Sequence, residues 1–399
     1  MKSKNKMPTT RLLAEIVAFV GMLLIGFLII YNQQNVTKIG YVRVLEKKNP
    51  KILFGMTLEG RLVDSRGNDN LLFKFKTTDA EINKNFTLFP RRFFAWGKNH
   101  VAYTSNLKEI IVVDYKTRKE VYRQQLKEGI EYINVNKEKE EFVIATSKAL
   151  YLLRYQKEHR NGESKQFLLE RIAEGKFCWP SISRDSRYIV CGENNSKENP
   201  SATSLVLFDL SNNTKKKFLS EKFGNFSVKV VYRIIYSTSI SSDNKWIVIS
   251  TRSPADPPYV WVSAINLESG IVKEFSTNTG LCNSPGCFIS SDKYMFAQGE
   301  PEYQEFGDYS SIIDPFRSKP VILDLNTGKL EIVNDVPKDI NAYWPIYGND
   351  KAIYFIDRNY QSFVPNKIFD TNIYRLKNKK IKLLFNVKGG IVSYDVISK

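Results

Sequence analysis

Ile182-Ser183-Arg184-Asp185-Ser186-Arg187-Tyr188-Ile189-Val190 comes back three times further along the chain. Ile240-Ser241-Ser242-Asp243-Asn244-Lys245-Trp246-Ile247-Val248 repeats it closely, and Ile289-Ser290-Ser291-Asp292-Lys293-Tyr294-Met295-Phe296 repeats it one residue tighter. Ile346-Tyr347-Gly348-Asn349-Asp350-Lys351-Ala352-Ile353-Tyr354 is a looser copy. Each runs apolar residues into a polar turn around an Asp and out again. Such a pattern makes two antiparallel strands whose turn N–H groups the carboxylate accepts. Its recurrence predicts an array of similar sheets.

A second recurring element lies between the Asp turns. Val112-Val113-Asp114-Tyr115-Lys116-Thr117, Leu207-Phe208-Asp209-Leu210-Ser211-Asn212, Ala264-Ile265-Asn266-Leu267-Glu268-Ser269 and Leu323-Asp324-Leu325-Asn326-Thr327-Gly328 each read as strand, turn and returning strand, with Tyr374–Lys379 the loosest copy. Two alternating hairpins give four strands per unit, the composition of a propeller blade. Six units follow, over 89–125, 130–172, 177–218, 228–275, 282–333 and 341–385. In the first two, Trp96–Asn99 and Asn136–Lys139 stand where the Asp turn belongs. Residues 50–76 read as about three strands and 390–397 as one, enough for a seventh blade closed by both ends of the chain. Closure removes exposed sheet edges. The fold class is therefore an all-β propeller of four-stranded blades, seven favoured over six with residues 40–88 as a stalk.

The motif Ser-x-Asp-x-Lys-x-Ile/Val, with Pro180 and Pro345 five residues ahead of the Asp, resembles the repeat of TolB-type, WD40-like β-propellers. The likeness covers about 175–360. Arg184, Ser242 and Ser291 replace that family's turn Pro, and Ser186 and Asn244 its Gly. The α/β domain that precedes the propeller in periplasmic TolB has no counterpart, so TolB's own partnership does not carry over.

Met1–Arg11 is polar and basic, and Leu12–Tyr31 is apolar except for Glu15. About 20 residues rising ~1.5 Å each span ~30 Å, the thickness of a bilayer core. The residues after the run lack a small-x-small cleavage pattern, which favours an uncleaved anchor over a signal peptide. Four basic residues precede the span, so the N-terminus is expected in the cytoplasm and the rest in the periplasm or outside the cell. The expected organisation is a cytoplasmic N-terminus (1–11), a transmembrane helix (12–31), a juxtamembrane linker (32–49) and the propeller (50–399). The four cysteines suit an exported domain: Cys178 and Cys191 flank one hairpin, Cys282 and Cys287 bracket one turn, and both pairs are candidate disulfides. Whether Cys178 and Cys191 share a face depends on a one-residue register.

The net charge of +17 over 399 residues points to an anionic neighbourhood such as lipid head groups, an acidic polysaccharide or an acidic protein. No basic run resembles a nucleic-acid arm. His100 and His159, the two histidines, lie far apart, which argues against a His-based metal site. Glu300, Glu302, Glu305 and Asp308 form an acidic stretch, but their spacing matches no calcium loop. There is no Gly-x-Ser-x-Gly elbow and no Gly-rich phosphate cradle, and no cofactor is expected.

The links between second and third strands are short in the first two units and long in the last four: Gly192–Ser201, Arg252–Tyr259, Gln298–Pro320 and Arg358–Asn372. Long loops gathered on one face point to binding. They carry Tyr259, Tyr303, Phe306, Tyr309, Phe316, Tyr360 and Phe363, and Trp179 and Trp344 are expected to enter the same rim. The Asp185, Asp243 and Asp292 turns belong to the opposite face. The reading leans to a non-enzymatic, single-pass membrane protein whose propeller binds an envelope protein. The alternative is a propeller that binds or cleaves an anionic glycan in its central pocket, which would require two carboxylates converging there. A cytoplasm-facing scaffold follows only if the orientation is reversed.

Overall fold

The computed structural model describes residues 37–47, 56–64, 66–77, 93–156, 166–194, 203–218, 234–252, 260–275, 286–300, 303–306, 309–312, 317–337, 339–340, 342–358, 370–388 and 391–397. The first three strands are β1 (Lys38–Lys47), β2 (Met56–Asp64) and β3 (Asp69–Thr77). The first blade follows with β4 (Phe94–Trp96), β5 (His100–Tyr103), β6 (Glu109–Asp114) and β7 (Glu120–Gln125). The second is β8 (Ile130–Asn136), β9 (Glu141–Thr146), β10 (Ala149–Gln156) and β11 (Gln166–Glu174). The third is β12 (Phe177–Ile182), β13 (Tyr188–Asn194), β14 (Thr203–Asp209) and β15 (Thr214–Phe218). The fourth is β16 (Ile234–Ile240), β17 (Trp246–Arg252), β18 (Val260–Asn266) and β19 (Val272–Phe275).

The fifth blade is interrupted. Between β21 (Lys293–Glu300) and β24 (Arg317–Asp324) it carries a separate ribbon of β22 (Tyr303–Phe306) and β23 (Tyr309–Ile312); β20 (Cys287–Phe288) and β25 (Leu330–Ile332) are its inner and outer strands. The sixth is β26 (Ala342–Tyr347), β27 (Ile353–Arg358), β28 (Thr371–Lys377) and β29 (Lys380–Val387). The last strand, β30 (Ile391–Ile397), pairs with β1, so the closing blade runs β30-β1-β2-β3 from the inside out. Seven four-stranded sheets result.

The closing blade takes one strand from the back and three from the front, as the sequence predicts, but its front begins earlier than expected. Residues 38–47 of the expected 32–49 linker form β1, because Ile39, Tyr41 and Val42 pack into the ring and Glu59 neutralises Arg43 at 3.0 Å. The apolar run 12–31 lies outside the described residues. Among the described residues, no helix is long and apolar enough to cross a membrane.

Second strands are buried on both faces because each blade is sandwiched between two others. This is why β9 reads Glu-Phe-Val-Ile-Ala-Thr with every residue buried, while outer β7 is almost wholly exposed. Seven hydrophobic clusters fill the seven blade interfaces. Two flank the closing blade, one built on Val42, Leu58 and Trp96, the other on Tyr41, Trp344 and Tyr394. The ring is closed by packing as well as by strand pairing.

The Asp turns at Asp185 and Asp243 share one construction. Ser183 Oγ donates to Asp185 Oδ1 at 2.7 Å and accepts from Tyr188 N at 2.8 Å, and Ser186 sits at φ 66°. Ser241, Asp243, Trp246 and Asn244 repeat this with 2.7 Å, 2.9 Å and φ 61°. The left-handed residue falls where the related repeat carries Gly, which explains that preference. Turns between third and fourth strands pack beside them: Tyr115 N, Leu210 N, Leu267 N and Leu325 N each donate at 2.8 Å to the carbonyls of Asn99, Arg187, Lys245 and Asp292. Both turn sets therefore occupy one face, here the turn face, and the second-to-third links occupy the opposite, link face.

Candidate functional site

The inner strands β4, β8, β12, β16, β20, β26 and β30 surround a central channel holding a cavity of about 360 Å3. Its position follows from strand order alone, since each blade turns its first strand to the axis. The charged groups among the described lining residues are Lys137 and Asp395. Lys137 follows β8, reaches past the first blade, and donates to Asp395 Oδ1 at 2.6 Å and the Val396 carbonyl at 3.1 Å. Both ends of this bridge lie near the turn-face termini of their strands, so it ties the second blade to the closing blade at that end of the channel. The two charges cancel, and two convergent carboxylates of the kind glycoside hydrolysis requires are not found among the described lining residues.

The rest of the described wall mixes hydroxyl, amide and aromatic side chains with aliphatic ones such as Ile133, Val135, Ile240 and Ile346. Trp96 Nε1 donates to Ser393 Oγ at 3.3 Å, and Asn134 Nδ2 to the Pro180 carbonyl at 2.7 Å. Ser237 also lines the channel, and its Oγ is enclosed with no hydrogen-bond partner among the described residues.

Trp179 and Trp344 occupy equivalent β-bulges. In β12, Cys178 pairs with Gly192 and Ser181 with Val190, so Trp179 and Pro180 together oppose Cys191. In β26, Tyr343 pairs with Ile356 and Ile346 with Tyr354, leaving Trp344 and Pro345 against Phe355. Both Trp residues have φ 50°, and Pro, lacking an N–H, fits the unpaired position. The next blade catches each bulged carbonyl: Thr238 Oγ1 donates to Trp179 O at 2.6 Å, and the Tyr394 hydroxyl donates to Trp344 O. The expected common rim is thus divided. Trp179 stands half-buried on the channel wall, whereas Trp344 is 5% exposed in the interface with the closing blade.

Of the expected loop aromatics, Tyr303, Phe306 and Tyr309 fall on the β22–β23 ribbon, where Phe306 is paired across from Tyr309. Tyr259, Phe316, Tyr360 and Phe363 lie outside the described residues. A further long link joins β1 at Lys47 to β2 at Met56 on the same face. The sequence reading missed it by assigning β1 to a linker.

The described cysteines are thiols, not disulfides. The β12–β13 register sets Cys178 opposite Gly192, one residue out of step with Cys191, so the two are not a cross-strand pair. Burial pushes the Cys191 thiol well up. Cys282 lies outside the described residues; Cys287 Sγ is 3.8 Å from the Pro345 carbonyl, as a donor.

One polar cluster escaped the sequence reading. His100, 5% exposed, has Nδ1 on Glu140 Oε2 and Nε2 3.5 Å from Asp114 Oδ2. Burial acts to raise the Glu140 pKa, but His100 and the Asn99 N–H at 2.5 Å outweigh it and hold the carboxyl below the usual range. The cluster joins a turn of the first blade to one of the second. Among the described residues no group of side chains is arranged to hold a metal ion.

No protein-family model matches the chain, and no curated protein matches it. Solved structures do. TolB from Acinetobacter baumannii is 13% identical, with 91% of this chain and 83% of that one covered at a TM-score of 0.42. The β-propeller domain of Cps50 (Swd1) from Myceliophteria thermophila is 8% identical over 86% and 98%, at 0.43. The tricorn protease is 12% identical over 84% of this chain, at 0.50, and this chain spans about a third of its length, 34%. Identities this low bear on fold alone. In fold, the described residues make a β-propeller of seven four-stranded blades, whose closing blade joins β30 to β1, β2 and β3.

Proposed function

We propose that the chain is a membrane-anchored, extracytoplasmic propeller that binds a protein of the cell envelope through its link face and catalyses no reaction. The observation that carries this reading is the direction of β1. Lys38 pairs with Ile397 at the turn-face end of the closing blade, so whatever precedes Lys38 leaves from the turn face. An anchor over 12–31 then lies on the turn-face side and turns the link face outward. The link face bears the long second-to-third connections and the added ribbon. The turn face carries exposed cations of six blades, Lys98, Lys139, Arg187, Lys245, Lys293 and Lys351, of which Arg187 and Lys245 are paired with Asp209 and Glu268. An anionic glycan in the channel lacks comparable support, because Lys137 is neutralised by Asp395.

The test is affinity purification of the full chain from cross-linked membranes, beside a variant with 298–320 and 358–372 replaced by short Gly-Ser links. A defined protein recovered with the parent and lost with the variant is the expected result. Recovery of the same protein by both would overturn the assignment to this face.

A further inference from the structure

One hairpin of the turn face departs from its counterparts in charge. In the first, third, fourth and fifth blades the turn between third and fourth strands begins at Asp114, Asp209, Asn266 or Asp324, whose side chain accepts from the turn's own N–H groups. The hairpin of the sixth blade has no such acid. Over 375–382 it carries Arg375, Lys377, Lys379, Lys380 and Lys382, and β28 meets β29 in a tight turn with Asn378 at φ 50° and Lys379 at φ 62°.

The register sets Lys377 directly opposite Lys380 and Arg375 opposite Lys382, and like charges so placed weaken a ladder. Asp350 holds Arg375 at 2.7 Å and lies 4.0 Å from Lys377. Lys379, Lys380 and Lys382 are exposed, with no carboxylate in ion-pair distance among the described residues. A row of unneutralised lysines on a projecting turn offers point charges to a surface, not a pocket to a small ion.

The entry point of the chain identifies that surface. The Thr37 side chain hydrogen-bonds the Tyr354 hydroxyl, which donates to Asp350 Oδ2 at 3.1 Å, the oxygen that Arg375 also holds. The start of β1 and the basic hairpin therefore share one corner of the turn face. From Tyr31, where the apolar run ends, to Thr37 is at most ~20 Å of extended chain. We propose that the 375–382 hairpin docks on anionic phospholipid head groups, with Lys379, Lys380 and Lys382 making the contact. The inference rests on the anchor over 12–31, which holds a negatively charged surface within reach of these lysines.

The experiment places the full chain in vesicles of phosphatidylcholine alone or mixed equally with phosphatidylglycerol. Acetylation of single lysines is followed by mass spectrometry, with exposed Lys148 of the link face as reference. We expect Lys379, Lys380 and Lys382 to react about five-fold more slowly in the anionic vesicles. The difference should vanish in about 1 M salt. A Lys379→Gln/Lys380→Gln/Lys382→Gln variant should melt no lower than the parent, because the like-charge pairs are relieved. Its Lys351 and Lys377 should react equally in both vesicles. Equal reactivity of the three lysines of the parent in both vesicles would overturn the proposal, as would protection by soluble heparin but not by phosphatidylglycerol. The anchor is read separately, from retention on neutral vesicles through an alkaline wash. A chain that washes off refutes the anchor, and protection of the lysines by phosphatidylglycerol still decides the hairpin.

Discussion

Replacing Gly40 with Ala tests how the ring closes. Gly40 lies on β1, opposite Asp395 of β30, and faces the indole of Trp96 across the interface with the first blade. An added Cβ would stand 2.2 Å from Trp96 Cε3, 2.5 Å from Cζ3 and 2.6 Å from Cδ2. Ordinary carbon contacts are about 3.5–4.0 Å, so the ring must retreat by about 1 Å or more. Trp96 is 2% exposed and tethered to Ser393, so it has little room to do so. Overpacking of this severity costs about 3 kcal/mol, at the upper end of its usual range. Lower unfolded-state entropy in Ala offsets about 0.7 kcal/mol, leaving a net loss of about 2 kcal/mol. At about 2.1 cal/mol/K per residue over 38–397, Tm should fall by about 3 °C. Urea and thermal unfolding of Gly40→Ala, Trp96→Phe and the double variant measure it. Phe leaves the space the methyl needs, so the double variant should be more stable than the sum of the singles by about 1–2 kcal/mol. A Gly40→Ala variant as stable as the parent, or purely additive effects, would refute this account of the seam.

Deleting 391–397 removes Ile391, Tyr394, Val396 and Ile397, all buried, at about 1.5–3 kcal/mol each. The sum of about 6–12 kcal/mol rivals the whole stability of a typical domain, so the truncated chain should fail to fold by circular dichroism and gel filtration. Ser241→Ala strands the Trp246 N–H and should cost about 1–2 kcal/mol in denaturant unfolding, whereas Ser290→Ala, at an exposed hydroxyl, should cost less than half as much. Glu140→Gln should cost about 1–3 kcal/mol at pH 7. The folded pKa of Glu140 is depressed, so its contribution is present above the ordinary Glu value of 4.5 and disappears as pH falls through the folded value. The gap between parent and variant in unfolding free energy should therefore narrow on acidification below 4.5. A gap that widens there would refute the assignment.

The Asp turns made the blades legible because in two of them Ser, Asp and the left-handed residue fall together within four positions. That grouping survives where the strands diverge, as at Ser183–Arg187 and Ser241–Lys245. β1 was not legible, since Lys38, Arg43, Glu46 and Lys47 resemble a membrane flank. The partner that makes Arg43 acceptable in a sheet, Glu59, is a neighbour only once β1 and β2 pair. The cysteine relation turned on a single register step that no spacing in one sequence fixes. Channel residues were illegible for a different reason. Ser237 and Ser393 belong to different blades and meet one space only after the ring closes. The Trp-Pro pairs show the converse error. Large aromatics beside Pro in a loop-rich chain suggest a sticky rim, yet at Trp344 the dipeptide is a bulge whose carbonyl holds the next blade.

The two faces differ in how they tolerate change, and this bears on where function can sit. On the turn face, the first-to-second and third-to-fourth turns are bonded to one another in four blades, and Asn244 reaches from one blade to Asp185 of the preceding one at 2.7 Å. Any change in length there breaks a bond within the blade or between blades. On the link face, the second and third strands are already fully paired before the chain leaves them, as in β21 with β24. A whole ribbon can therefore be inserted between those strands without altering the ladder below it. Length variation is thus cheap on the link face, where the β22–β23 ribbon is inserted, and costly on the turn face.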